Sequence, residues 1–226
     1  MAQKTGTGRT WIVVAAYNEE RHIAQVVRRV RACGYRNIVV ADDGSKDRTS
    51  ALADTAGAHV VRHIINLGKG AALKTGADYA VACGATRLVF IDGDGQHRPE
   101  EIGDVLAQLR GKTDIVFTYR AGGHRAPFVR RLGGRIITTM IRLFYSYDLK
   151  DALCGMRAMT ADAYRKVRWT SRDYSVESEM IANAGIKLLH AREASISTVY
   201  HDSYKGMTVI DGLRTVWHLV WWRMTR

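Results

Sequence analysis

A largely parallel α/β sheet covered by helices on both faces is the fold class this sequence predicts. Short β-branched, apolar runs alternate with segments of helical period through the first 118 residues. Gly34, Gly57 and Gly84 each fall where a helical run stops. The apolar runs break into Asp, Asn, Gly and Ser, the residues of the turns that leave the carboxyl ends of strands.

Thr10 to Ala16 reads as the first strand, closed by Tyr17-Asn18. Asn18 is placed to cap a helix whose first turn holds Glu19 and Glu20 and whose inner face is Ile23, Val26, Val27 and Val30. Ile38 to Ala41 is the second strand, followed by Asp42-Asp43-Gly44-Ser45 and a short helix from about Asp47 to Ala56. A third strand, Ala58 to Arg62, leads through a loop to a helix over Gly70 to Cys83. Leu88 to Ile91 is a buried strand running straight into Asp92-Gly93-Asp94. Pro99 suits the first position of a helix, with Glu100 and Glu101 in its first turn and Ile102, Val105, Leu106 and Leu109 inward. Ile115 to Thr118 is the fifth strand. Five strands alternating with four helices require a mostly parallel sheet.

Beyond residue 118 the pattern loosens. A long helix is expected over Phe128 to Tyr147, a shorter one near Val176 to Ala184, and strands at Met156 to Thr160, Lys187 to His190 and Ile196 to His201. Thr208 to Met224 is a helix with three tryptophans, Trp217, Trp221 and Trp222, beside Arg214, His218 and Arg223. Such a helix suits a membrane interface, or docks on the core or a second subunit, and both readings stay open.

The 226 residues make one sizeable domain the default. A net charge of +12, from 34 Lys+Arg against 22 Asp+Glu, favours anionic partners: nucleic acid, an acidic membrane face or phosphorylated substrates. Cys33, Cys83 and Cys154 lack metal-ligand spacing and read as reduced, core-packed thiols. Residues 1–9 are polar and read as a flexible terminus rather than a leader, and no apolar run approaches the ~20 residues that span a bilayer. A cytoplasmic location is expected.

Four stretches carry chemistry. Asp42-Asp43 sits where an α/β sheet binds ligands and suits a base or ribose, or is simply a capped turn. Asn66-Leu67-Gly68-Lys69-Gly70 opens a helix and offers amides and an ammonium to an anion, without the spacing of a P-loop. Asp92-Gly93-Asp94-Gly95-Gln96 fails the calcium-loop template, because His97 stands at its sixth position and a strand precedes it. Two carboxylates so close repel unless a cation or hydrogen-bond donors offset them, and a metal–diphosphate site is favoured over a plain acidic turn. Arg120, Arg125, Arg130 and Arg131 follow the fifth strand and suit phosphate, or form a solvated basic face.

Taken in order, Ala16-Tyr17-Asn18-Glu19-Glu20, Asp42-Asp43-Gly44-Ser45 with Asp47, Asn66 to Gly70, and Asp92 to Glu100 resemble the family 2 glycosyltransferases of GT-A fold. Tyr119-Arg120, Arg130-Arg131, Asp151 with Cys154-Gly155-Met156-Arg157, Glu177-Ser178-Glu179 and Tyr204-Lys205-Gly206 extend the likeness, most closely to dolichol- and polyprenol-phosphate sugar synthases. The resemblance implies a Rossmann-like domain over 10–205, with a nucleotide-sugar half (10–118), an acceptor half (119–205) and a C-terminal helix (206–226). It implies that Tyr17, Glu19 and Asp42 hold base and ribose with Asp43 in support. Asp92, Asp94 and Gln96 would ligate Mg²⁺ or Mn²⁺ against the diphosphate. Arg120, Arg131 and Arg130 would bind the lipid phosphate, and Lys69 or Lys205 would offset leaving-group charge. Two positions depart from the resemblance: Ala15 stands where the family has proline, and Gly134 where it has a serine that the resemblance would give an acceptor-phosphate contact.

The implied activity is inverting transfer of a hexose from a nucleotide sugar to polyprenyl or dolichyl phosphate, with Asp94, Arg120 and Arg131 central. The implied setting is the cytoplasmic face of an anionic membrane. Nucleic acid is not an expected partner, and a homo-oligomer stays open. The nearest rival is transfer to a sugar hydroxyl, with Asp151, Glu177 or Glu179 as general base.

Overall fold

The computed structural model describes residues 9–121, 128–197 and 209–225, and their side chains except those of 128–132 and 209–211. The alternation read from the first half is present: β1 (Thr10–Ala16), α1 (Ile23–Ala32), β2 (Ile38–Asp42), α2 (Thr49–Thr55), β3 (His59–Arg62), α3 (Lys69–Ala82), β4 (Arg87–Asp92), α4 (Ile102–Gln108) and β5 (Ile115–Arg120). The second half adds α5 (Phe128–Tyr145), β6 (Arg157–Thr160), α6 (Ala161–Val167), α7 (Val176–Ile186), β7 (Ala191–Ile196) and α8 (Val209–Thr225).

One seven-stranded sheet carries the order β3-β2-β1-β4-β6-β5-β7. Every pairing is parallel except those of β6, which runs antiparallel between β4 and β5. Alternate side chains of β1 separate the two layers. Trp11, Val13 and Ala15 pack with α3, α5, α7 and α8, whereas Ile12, Val14 and Ala16 pack with α1, α2 and α4. The chain is a single α/β domain with a doubly covered, mostly parallel sheet.

Four local expectations change. Asn18 does not cap α1: its φ is +53°, and its side-chain oxygen accepts from the Lys46 amide at 2.8 Å. The amides of Glu19 and Glu20 instead donate to Thr49 Oγ1 (2.8 Å) and Asp47 Oδ2 (3.1 Å), so residues 18–20 bind the turn after β2. Lys187 to His190 is not a strand, because Leu188 turns left-handed (φ +52°) after α7, and the strand begins at Ala191. That strand ends at Ile196, and residues 198–201 of the expected run lie outside the described residues. Of the three thiols only Cys154 is buried; Cys83 is half-buried and Cys33 exposed. Helix α6 went unread in the sequence; Thr160 caps it by accepting from the Ala163 amide at 3.0 Å.

Helix α8 has two faces. Thr215, Leu219 and Trp222 are buried, and Tyr145 Oη donates to the Leu219 carbonyl at 2.6 Å. Arg214 pairs with Asp173 (3.1 Å) and His218 meets Ser175 Oγ (3.3 Å). On the other face Leu213, Trp217, Trp221 and Met224 recur at helical spacing, and the two tryptophans, 65% and 52% exposed, stack on each other. No helix among the described residues is long and apolar enough to cross a membrane.

Candidate active site

Parallel pairing brings the sequence-distant strand ends to one rim. Ala16 of β1 is in register with Asp42 of β2, and Ala15 with Asp92 of β4. After β3 the chain crosses back to the other side of β1, which opens a crevice at the carboxyl ends of β1 and β4. Because β6 is antiparallel, its first residue, Arg157, lies at that same rim, as does Arg120 at the end of β5.

The two carboxylates at the end of β2 are built into the backbone around them. Asp42 is 1% exposed. Its Oδ1 accepts from the Ser45 amide (3.0 Å) and hydroxyl, and its Oδ2 from the Ser50 hydroxyl. Asp43 is equally buried and reaches forward: Oδ1 accepts from His63 Nδ1 (2.7 Å) and the Leu67 amide (2.9 Å), Oδ2 from the Gly68 amide (2.8 Å). Asp43 therefore fixes the loop that delivers Lys69. At the end of β1, Tyr17 is 39% exposed while Glu19 is nearly buried.

The glycines around Lys69 have a steric reason. A Cβ on Gly68 or Gly70 would lie 2.2 Å from the carbonyl oxygen of Arg172 or Ser171. The Gly70 amide donates to Arg172 O at 2.7 Å, and Trp169 Nε1 donates to Gly70 O at 2.8 Å. Main chain from the two halves thus meets without intervening side chains. Glu179, fully buried, holds the 169–172 segment in place by accepting from the Thr170 amide and hydroxyl (both 3.0 Å) and the Ser171 amide (2.7 Å).

Held by this seam, the Lys69 ammonium lies 2.8 Å from both Asp92 Oδ1 and Glu177 Oε1. Burial opposes its charge, but the Asp92 and Glu177 carboxylates outweigh burial and hold its pKa above the ordinary lysine range. Burial likewise opposes ionisation of Asp92, yet Lys69 and, next, His97 keep its carboxyl below the usual range. Asp94 accepts from the Gln96 amide (3.0 Å) and Nε2 (2.8 Å), so these two expected metal ligands adjoin. Gly155 leaves room for the Asp92 carboxylate, since a Cβ there would sit 2.5 Å from Asp92 Oδ2.

Among the described residues no cluster of three His, Cys, Asp or Glu side chains forms a protein-only metal cage. Two carboxylates one residue apart and an amide oxygen are instead what a hard divalent ion retains when phosphate oxygens and water fill its remaining positions. A cation, the Lys69 ammonium, already lies against Asp92. The residues fit Mg²⁺ or Mn²⁺.

At the end of β5, Arg120 Nε donates to Asp151 Oδ2 at 2.7 Å, and Asp151 Oδ1 accepts from the Leu153 amide at 3.0 Å. Sequence reading gave Arg157 no role. Its guanidinium is buried over the Phe117 ring and donates to the carbonyls of Cys154 (3.2 Å), Glu177 (2.5 Å) and Ala152 (2.9 Å). Burial pushes its pKa down, and the Glu177 carboxylate counters. The sequence signal was an arginine opening an apolar strand. The side chains of Arg130 and Arg131, and all of Arg125 and Lys205, lie outside the described residues.

Residues 11–168, well over half of the chain, match the family model described as glycosyl transferase family 2. The chain belongs to that family. Among relatives of this glycosyltransferase, polyprenol monophosphomannose synthase of Mycolicibacterium smegmatis is 32% identical over 74% of this chain and 67% of its own. UDP-N-acetylglucosamine–dolichyl-phosphate N-acetylglucosaminyltransferase of Methanococcus voltae is 26% identical, covering 95% of this chain and 96% of its own. Glucosyl-3-phosphoglycerate synthase from Mycobacterium tuberculosis, solved with Mn²⁺, uridine diphosphate and phosphoglyceric acid, superposes with a TM-score of 0.76. At 21% identity, over 96% of this chain and 78% of that one, it shows the shared GT-A fold alone.

Proposed function

We propose that this family 2 glycosyltransferase moves a hexose from a nucleotide sugar of GDP-mannose or UDP-glucose type to a polyprenyl or dolichyl phosphate, inverting the anomeric carbon. The observation that carries the acceptor class is that the three acids the sugar-hydroxyl rival would use as a base are all engaged. Glu179 is consumed by the 170–171 amides, Asp151 is paired with Arg120, and Glu177 is paired with Lys69. A sugar hydroxyl needs a base near neutral pH, whereas a phosphate monoester is already ionised and needs positioning beside cations. The names of the relatives, which specify polyprenol monophosphate and dolichyl phosphate chemistry, support the same class.

In this reading Tyr17, Glu19 and the Asp42–Asp43 turn take the base and ribose, Asp43 by fixing the loop before Lys69. Arg120, with Arg130 and Arg131, grips the acceptor phosphate and aligns one oxygen with the anomeric carbon. Lys69, and Lys205 from beyond the described residues, offset negative charge developing on the departing nucleoside diphosphate. A divalent ion held by Asp92, Asp94 and Gln96 would supply Lewis-acid neutralisation of that diphosphate. The exposed tryptophan face of α8 and the net charge of +12 suit work at an anionic membrane surface, peripherally on its cytoplasmic side.

The test is a matrix of nucleotide sugars against polyprenyl phosphate and neutral sugar acceptors, with Mg²⁺ or Mn²⁺ and with chelator. A metal-dependent, acid-labile lipid product is expected, and Asp94→Asn should abolish it while the protein stays folded. Transfer only to a neutral sugar, or an active Asp94→Asn enzyme, would overturn the reading.

A further inference from the structure

Lys69 has two carboxylate partners at the same distance, 2.8 Å, one from each half of the chain. Asp92 ends β4, and Glu177 stands in the first turn of α7, where the helix amides favour a negative charge. An ammonium cannot remain at hydrogen-bond distance from an oxygen that also ligates a divalent ion without strong repulsion between the two cations. Glu177 is already in contact, so leaving Asp92 requires a rotamer change and no new partner. The start of α7 is in turn anchored through the Glu177 carbonyl, which accepts from Arg157 at 2.5 Å.

We infer that Lys69 is a displaceable counter-cation of the metal site and that Glu177 is the positioning residue that receives its ammonium when Asp92 takes a divalent ion. The inference rests on the proposed metal role of Asp92 and Asp94. Before loading, Lys69 neutralises Asp92 and keeps the two neighbouring carboxylates from repelling. On loading, the same charge moves to Glu177 and stays beside the position of the leaving group. Glu177 then sets how readily the site gives up its internal cation. It acts on the metal through Lys69 and not as a ligand.

Mn²⁺ alone, titrated without nucleotide and followed by loss of the free-ion electron paramagnetic resonance signal, tests this apart from turnover. Lys69→Met removes the competing charge and should tighten Mn²⁺ by about tenfold. Glu177→Gln leaves the ammonium Asp92 as its one carboxylate partner among the described residues, beside the Tyr174 ring, and should weaken Mn²⁺ by a similar factor. In the Lys69→Met background, Glu177→Gln should change the affinity by less than about twofold, because there is no ammonium to receive. Lys69→Gln, which keeps a donor between the acids, repeats the measurement if Lys69→Met does not fold. Mn²⁺ affinity unchanged or lowered on neutralising Lys69 would overturn the inference. So would an equal effect of Glu177→Gln in both backgrounds, which would make Glu177 a direct contributor. Asp94→Asn separates the two failures: if it keeps wild-type Mn²⁺ affinity, the metal-site reading itself has failed.

Discussion

Arg120 at the end of β5 is joined to Asp151 by a 2.7 Å hydrogen bond from Nε, which orients the guanidinium at the rim that also carries Asp92. Arg120→Gln is expected to lower kcat/KM for polyprenyl phosphate roughly 10- to 100-fold, the worth of one charged hydrogen bond. Asp151→Asn keeps the cation but loosens its orientation, so a smaller loss is expected. Nucleotide-sugar binding, measured by calorimetry, should be unchanged in both variants.

Glu179 is a structural acid. Glu179→Gln leaves one of the 170–171 donors unsatisfied in a buried site, at a cost of about 1–3 kcal/mol. The expected result is a lowered thermal midpoint with turnover largely retained in the folded fraction. A stable but inactive Glu179→Gln enzyme would identify a general base and revive the sugar-hydroxyl acceptor.

The two faces of α8 should respond oppositely to substitution. Trp217→Ser with Trp221→Ser is expected to abolish sedimentation with anionic vesicles and leave the thermal midpoint unchanged, since both rings are exposed. Trp222→Ala should instead destabilise the fold by about 3–5 kcal/mol, because that ring is buried against the core. Vesicle binding that survives loss of both exposed rings would remove α8 as the docking element.

Asp47 gives the turn after β2 an acid-sensitive tie. Burial raises its pKa, but hydrogen bonds from the Thr49 hydroxyl and amide and the Glu20 amide outweigh burial and leave it depressed. A depressed folded pKa means a stabilisation present above the unfolded value, about 3.9, and lost as pH falls through the folded one. The difference in thermal midpoint between wild type and Asp47→Asn should therefore be largest near neutral pH and shrink below about pH 4.

The first half of the fold was legible because each strand there is a β-branched run that ends in turn residues and precedes a helix of clear period. In a parallel sheet those ends must share a rim, so Asp42 and Asp92 could be placed together from sequence order alone. The second half resisted for local reasons. Lys187-Leu188-Leu189 has the apolar look of a strand, yet Leu188 is a left-handed helix terminus, and the true edge strand, Ala191 to Ile196, is partly charged. In the site, residue types could be read but their partners could not. Lys69 meeting Glu177, and Gly68 and Gly70 clearing the 171–172 carbonyls, depend on how α7 returns across the sheet. No periodicity records that return. Asp43 carries the same lesson, since its oxygens are spent on His63, Leu67 and Gly68 rather than left open.

The stacked pair on α8 also makes the protein its own optical sensor. Trp11, Trp169 and Trp222 are sealed in the core, so their emission is insensitive to what surrounds the molecule. Trp217 and Trp221 face water together, and any surface that covers them must move the red edge of the native spectrum. The membrane encounter proposed above can thus be tested and timed by unlabelled fluorescence, with no sugar transfer needed.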